Sequence, residues 1–249
     1  MITSSDRVAE LGTILGVWAH PDDEAYLSGG LMALARDRGQ RVVCVTATRG
    51  ELGTSDPATW PPDRLADERT GELAHCLGIL GVREHRFLNY RDGGCADADA
   101  PAAIARLAEI VDEVRPDTVL TFGPDGITGH ADHRTVSAWA GAAVELAAPP
   151  GTRLLHAAVP DRHAREWASL DAELGVYEPG FPLVVGPDRL SIDLALPPAV
   201  AARKVRALAA QTTQTAGIID ALGRERYTAW VSEECYLEAE RAALALALR

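Results

Sequence analysis

Cysteine is scarce. Four occur in 249 residues, at positions 44, 76, 95 and 235, and no two are spaced as C-x-x-C. That spacing excludes a zinc knuckle and a dithiol redox motif. Cys44 lies in an apolar run and Cys76 in a helical pattern, so buried, reduced thiols are expected. Positive charge is also short. Lys+Arg number 24 against 36 Asp+Glu, a net charge of −12, which argues against nucleic acid or an anionic membrane as the main partner. No run approaches the roughly 18 apolar residues of a membrane span. The start, Met-Ile-Thr-Ser-Ser-Asp, lacks the basic and apolar regions of a signal peptide, so a cytoplasmic protein is expected. There is no internal repeat, and no G-x-G-x-x-G follows the first apolar run, which argues against a nucleotide-binding module.

What is present is a regular alternation. Apolar, β-branched runs at 13–18, 41–46 and 117–122 read as buried strands, and Arg86-Phe87-Leu88 as a short one. Between them, 26–38, 65–80, 101–114 and 130–146 carry helical periodicity; Gly39 and Gly81 stop two of these, and Pro101 opens another. The order β-α-β-α-β-α-β-α predicts a mostly parallel, Rossmann-like α/β sheet with helices on both faces. After Pro149-Pro150 the pattern loosens. A strand is expected at 154–159, a small antiparallel pair at 183–185 and 190–194, a long helix at 199–222 and a helix at 233–249. One domain, 1–249, is expected, with a core of about 13–160 and a C-terminal elaboration of about 161–249. The segment 48–63, rich in Gly and Pro, is a long loop of the kind that often serves function.

Two clusters carry chemistry. His20-Pro21-Asp22-Asp23-Glu24 follows the first strand, and Gly129-His130-Ala131-Asp132-His133 follows the strand at 117–122. Alone, an H-x-x-H is usually surface decoration, and an Asp-Asp-Glu usually complements a helix dipole. Together, each past the end of a parallel strand, they fall where open α/β sheets bind ligands, provided the two strands are neighbours. Catalytic zinc takes three ligands from His, Asp and Glu and leaves one position for water. His20, Asp23 and His133 can supply them, and a metal so held brings hydroxide within reach at neutral pH. Asp22 is then free to act as general base; on geometry alone, Asp22 and Asp23 could exchange roles. His130 is placed to stabilise an oxyanion or to protonate a leaving amine, and Asp132 to orient an imidazole. His75, His85, His156 and His163 stand singly and read as surface or core histidines.

The two clusters resemble those of the LmbE-like (PIG-L) family of metal-dependent de-N-acetylases. The first matches that family's A-H-P-D-D-E in full; the second differs from its H-P-D-H by Ala131 in place of proline. Roughly residues 13–140 take part in the resemblance. It implies zinc, held by His20, Asp23 and His133, with Asp22 as the base and His130 as the oxyanion partner. It further implies that Arg69 and Asp92 bind substrate hydroxyls and that Gly50-Glu51 lines the site. Many members carry a histidine near 209–214, where this chain has Gln211, Thr212, Thr213 and Gln214.

The expectation is a metal-dependent hydrolase that removes an N-acetyl or other N-acyl group from a small amino-sugar substrate. Zinc is the expected metal, and ferrous iron suits the same donors. The competing substrate is a cysteine-conjugate amide or a natural-product intermediate. Among partners, the expectation holds no nucleic acid and no membrane span, and it leaves room for a homo-oligomer.

Overall fold

In the computed structural model, which describes residues 1–239, the alternating strands build one sheet. Its strands are β1 (Ile14–Trp18), β2 (Val42–Thr46), β3 (Glu84–Phe87), β4 (Thr118–Phe122), β5 (Arg153–Ala157), β8 (Ile192–Ala195) and β9 (Glu233–Glu238). A two-residue pair, β6 (Val159–Pro160) and β7 (Val184–Val185), stands apart. The helices are α1 (Asp23–Asp37), α2 (Pro62–Leu80), α3 (Ala100–Val114), α4 (Ala131–Ala147), α5 (Asp161–Leu174), α6 (Pro198–Ala209), α7 (Thr212–Leu222) and α8 (Arg224–Trp230). Sheet order is β3-β2-β1-β4-β5-β9-β8. The first five strands run parallel, and β9 and β8 are antiparallel additions.

Every residue of β1, β2 and β4 is buried, as parallel strands covered on both faces require. The chain leaves β1 toward β2 on one side and returns to β4 on the other. The order therefore reverses between β1 and β4, which pair directly through Ile14↔Thr118. That reversal is the topological switch point, and the two charged clusters begin at its carboxyl edge. Among the described residues, no helix is long and apolar enough to cross a membrane.

The C-terminal third departs from the sequence reading in three ways. The strands at 183–185 and 190–194 do not pair with each other: Val184 pairs with Val159 in parallel, and Ile192 pairs with Tyr236. The expected helix 199–222 breaks at Gln211. The Glu72 carboxylate accepts from Thr213 N (2.7 Å) and Thr213 Oγ1 (2.6 Å), and so caps α7 from a different helix. The helix expected over 233–249 begins instead as β9, inserted between β5 and β8; its remainder, 240–249, lies outside the described residues. In addition, α5 and α8 have no counterpart in the sequence reading.

Burial lowers the pKa of His85 and of His156 to about 4, the former with help from nearby Arg49. The unfolded chain binds these protons near pH 6.5, so it holds more protons than the fold between pH 6.5 and 4. The stability these two neutral histidines contribute is therefore complete above about pH 6.5 and is lost as the pH drops toward 4. Among the described residues, His156 Nε2 has no hydrogen-bond partner. A His156→Leu variant should lose less of its urea midpoint between pH 7 and pH 5 than the parent; equal losses would contradict the assignment.

Candidate active site

The first cluster leaves β1 in an uncommon conformation. Asp22 has φ 105°, a region that disfavours side chains. Its neighbours hold it there. The Asp22 carbonyl accepts from Ala25 N and Tyr26 N at 2.9 Å each, which starts α1. Asp22 N–H donates to Glu24 Oε2 at 3.0 Å, and Gln211 Nε2 donates to Glu24 Oε1 at 2.8 Å. Glu24 is fully buried, and burial raises its pKa to about 8. The sequence reading gave Glu24 no role; its place in the motif was the only signal. Gln211 lies in the stretch 209–214, near which many family members carry a histidine, and it is spent on this turn.

Donor groups of three residues converge from the two clusters. His20 Nδ1 lies 3.2 Å from His133 Nε2 and 3.7 Å from an Asp23 oxygen, and His133 Nε2 lies 3.4 Å from the other. Ligands bonded tetrahedrally at 2.0–2.1 Å stand about 3.3 Å apart, so the two imidazole nitrogens already have that spacing, and each faces one oxygen of the Asp23 carboxylate at a slightly longer distance. The far ring nitrogens decide the protonation. His20 Nε2 faces Asp92 Oδ1 at 3.1 Å and Asp132 Oδ2 at 3.3 Å, so it carries a hydrogen. His133 Nδ1 faces the Gly126 carbonyl at 3.0 Å and carries one too. Each imidazole, when neutral, thus turns a lone pair toward the other, with the Asp23 carboxylate beside them. Two lone pairs and an anion need a cation between them, and ligating histidines are oriented in this way.

The electrostatics agree. For His20, burial lowers the pKa, but the hydrogen bonds to Asp132 and Asp92 and the charge of Asp23 outweigh it and lift it to about 10. Burial lowers the pKa of His133. Without a metal, the cluster holds a proton on His20; metal binding would displace it. Asp22 is raised to about 7, by burial first, with Arg69 opposing and Asp23 adding.

His130 stands beside the triangle, its ring 4.9 Å from His20 and 5.0 Å from His133, centroid to centroid. It caps α4: its Nδ1 accepts from Asp132 N at 3.2 Å. The neutral ring therefore carries its hydrogen on Nε2, as a donor. One ring nitrogen each from His20, His130 and His133 forms a cluster within 4.8 Å, which makes His130 a third nitrogen near the same point.

Arg69 and Asp92 line the same cavity, but both are engaged with protein. Arg69, 3% exposed, donates to Gly50 O (2.8 Å), to the Pro21 carbonyl and to Asp22 Oδ2 (3.2 Å). Gly50, at φ +68°, makes this seat: a Cβ there would stand 2.3 Å from Arg69 Nη1. Asp92 accepts from His20 with one oxygen and from Leu52 N (2.9 Å) with the other. Asp132, fully buried, also accepts from Gly93 N (2.8 Å) and Cys95 N (3.1 Å). Glu51 Oε1 accepts from Asp92 N at 2.9 Å, so the loop at 48–53 closes over the carboxylates that hold His20.

A family model described as GlcNAc-PI de-N-acetylase matches residues 15–144, just over half of the chain. The chain belongs to this family, PIG-L. Both clusters lie inside the matched span. A 1D-myo-inositol 2-acetamido-2-deoxy-alpha-D-glucopyranoside deacetylase of Kineococcus radiotolerans is 40% identical over 205 residues, 71% of this chain and 57% of that protein. The chain thus spans little more than half of that relative's length. Among solved structures, N,N'-diacetylchitobiose deacetylase from Pyrococcus horikoshii shares the fold at a TM-score of 0.69, with 20% identity over 95% of this chain and 87% of that one. So does a 4-carboxy-2-hydroxymuconate hydratase from Pseudomonas putida, at TM-score 0.63 and 18% identity over 92% and 96%. The fold carries more than one reaction, so the chemistry has to be argued from the side chains.

Proposed function

We propose that the protein is a metal-dependent hydrolase that removes the N-acetyl group of a small molecule containing N-acetylglucosamine. His20, Asp23 and His133 would hold the metal. Two imidazoles and a carboxylate suit zinc, and ferrous iron fits the same set. When bound, that ion supplies Lewis-acid polarisation and a lowered pKa for water. Asp22, next to a ligand but outside the ligand triangle, accepts the proton of the attacking water, and Arg69 fixes the orientation of its carboxylate. His130, with its hydrogen on Nε2, donates to the negative charge that develops on the acyl oxygen. Asp92 and Asp132 hold His20 in the tautomer that leaves Nδ1 free. The observation that carries this reading is the pair of imidazole lone pairs meeting a carboxylate beside Asp22. The same reading places the enzyme in the cytoplasm.

Membership of a de-N-acetylase family and the named substrate of the Kineococcus relative support the amide and the sugar. The test is acetate release from N-acetylglucosaminyl-inositol, run beside a cysteine-conjugate amide, with and without chelator. Chelator-sensitive release from the sugar is expected. Release from the cysteine conjugate alone would reassign the substrate, and chelator-insensitive release would overturn the metal.

The supporting carboxylates yield a second prediction. Asp92→Asn and Asp132→Asn should each weaken zinc binding by about 10–100-fold, because each removes an anion that accepts from His20. Competition against a zinc-binding dye measures this, and unchanged affinity in both variants would contradict the role.

A further inference from the structure

The cavity at the carboxyl edge of β1 and β4 measures about 730 Å³, within the roughly 300–1,000 Å³ that ligand pockets span. Asp22, His130 and the three ligand residues line it, and so does Tyr26 of α1. The reaction proposed above gives Tyr26 no part, yet the protein fixes this residue on every side. Tyr26 N donates to Asp22 O at 2.9 Å, and Lys204 Nζ donates to Tyr26 O at 2.7 Å. Its ring stands edge-on to Tyr227, at 6.5 Å and 68°, and to Trp230, at 6.0 Å and 66°, an arrangement that aromatic pairs favour. Those two rings pack on each other at 5.8 Å and 60°. Trp230 is tied down in turn, since its Nε1 donates to Asp171 Oδ1 at 3.0 Å. Tyr227 and Trp230 belong to α8, outside the span that the family model matches.

The two hydroxyls decide where the last hydrogen goes. Tyr227 OH stands 2.8 Å from Tyr26 OH. Tyr227 is fully buried, and among the described residues its hydroxyl has no other partner. A buried O–H without an acceptor costs free energy, so Tyr227 gives its hydrogen to the Tyr26 oxygen. Tyr26 is only partly buried, and its own hydroxyl hydrogen meets no acceptor among the described residues. That hydrogen is free for whatever fills the cavity. Burial raises the pKa of Tyr26, with the Tyr227 hydrogen bond opposing and the charge of Asp22 adding, so the group stays a donor at neutral pH. The same charge disfavours an anion beside the phenol. A neutral oxygen is the acceptor that fits, and the hydroxyls of an amino sugar are such oxygens. With the phenol already held, a ligand that accepts from it causes little further ordering.

We propose that Tyr26 is a further substrate-binding residue: its hydroxyl, held by Tyr227, donates a hydrogen bond to a neutral oxygen of the amino sugar. This rests on the hydrolase reading for the class of ligand, but the bond can be read by binding alone. Tyr227 and Trp230 act through Tyr26, as positioning residues.

Calorimetric titration of the zinc-loaded full chain with methyl glucosaminide tests it, beside urea denaturation of the same proteins. Tyr26→Phe is expected to weaken binding about three- to tenfold, the loss of one hydrogen bond. It should also lower the urea midpoint, because the buried Tyr227 hydroxyl loses its acceptor. The double variant Tyr26→Phe, Tyr227→Phe removes that unpaired group as well. It should regain most of the midpoint and none of the affinity, which separates a lost contact with the ligand from a disturbed fold. Parental affinity in Tyr26→Phe, affinity that returns with the midpoint in the double variant, or a parent that binds no methyl glucosaminide overturns the role. Acetate release from the N-acetyl form distinguishes the two proposals. Tyr26→Phe should raise KM by the factor seen in binding and leave kcat nearly unchanged, as an interaction made equally with bound substrate and transition state does. Affinity that follows the Tyr26 hydroxyl without any acetate release sinks the hydrolase reading and leaves Tyr26 standing. Release with a parental KM in Tyr26→Phe sinks Tyr26 and leaves the hydrolase.

Discussion

Asp22→Asn is expected to lower kcat on an N-acetyl amino sugar by a factor on the order of 10²–10⁴, the range for losing a positioned general base, while metal content stays at the parent value. The substitution keeps size and removes the ability to take a proton. The converging donor groups belong to His20, Asp23 and His133, so none is lost. The strained turn should also survive. It is held by the Asp22 backbone, through Glu24, Ala25 and Tyr26, rather than by the carboxylate. Arg69 would keep its bonds to Gly50 O and the Pro21 carbonyl. A variant that keeps both its metal and its rate would show that Asp22 is not the base. One that loses its metal would put Asp22 among the ligands and reopen its exchange with Asp23.

The second large effect is on stability. Lys204→Met is expected to cost about 3–5 kcal/mol, the range for breaking a buried ion pair from one side. Lys204 and Glu234 are both fully buried, 2.8 Å apart. They do more than pair. Lys204 Nζ donates to Tyr26 O at 2.7 Å, and the Glu234 oxygens accept from Gly30 N and Leu31 N at 2.7 Å each. Tyr236 OH donates to Leu27 O at 2.8 Å. The carbonyls of 26 and 27 and the N–H groups of 30 and 31 are groups that face each other along a regular helix ladder, and side chains from α6 and β9 meet all four. Buried ion pairs can often be replaced by apolar residues without loss. Here the double variant Lys204→Met, Glu234→Leu would also strip partners from Tyr26 O, Gly30 N and Leu31 N, so it should not recover parental stability. Urea denaturation reads both variants. A double variant as stable as the parent would show that the pair is dispensable to α1.

Fold and site were legible in the sequence to different depths. The parallel half was open to reading because its signals are local: a buried strand, a charged turn, an amphipathic helix, repeated. The condition on the site, that the strands before the two clusters be neighbours, is met by β1 and β4. The C-terminal half is decided by pairings across long stretches of chain. Ala157 meets Tyr236, and Ile192 also meets Tyr236, so β9 is a strand because two distant edges need a partner. Its own sequence, Glu-Glu-Cys-Tyr-Leu-Glu, says little on the matter. The break at Gln211 was hidden for a similar reason. Neither glycine nor proline marks it, and the cap comes from Glu72 on α2. At the site, residue types pointed to a metal, but not to the way one carboxylate serves another residue. The resemblance gives Asp92 to substrate hydroxyls, and its carboxylate also stands against His20. It gives Arg69 the same role, and Arg69 is buried under the turn at Pro21-Asp22.

The central claim is that His20, Asp23 and His133 hold a metal ion. Elemental analysis of protein purified without chelator, beside His133→Ala, tests it most directly. About one equivalent of zinc or iron in the parent and far less in the variant is the predicted result for a three-ligand site that loses one ligand. No metal in the parent even after zinc is supplied, or equal metal in both, would contradict it.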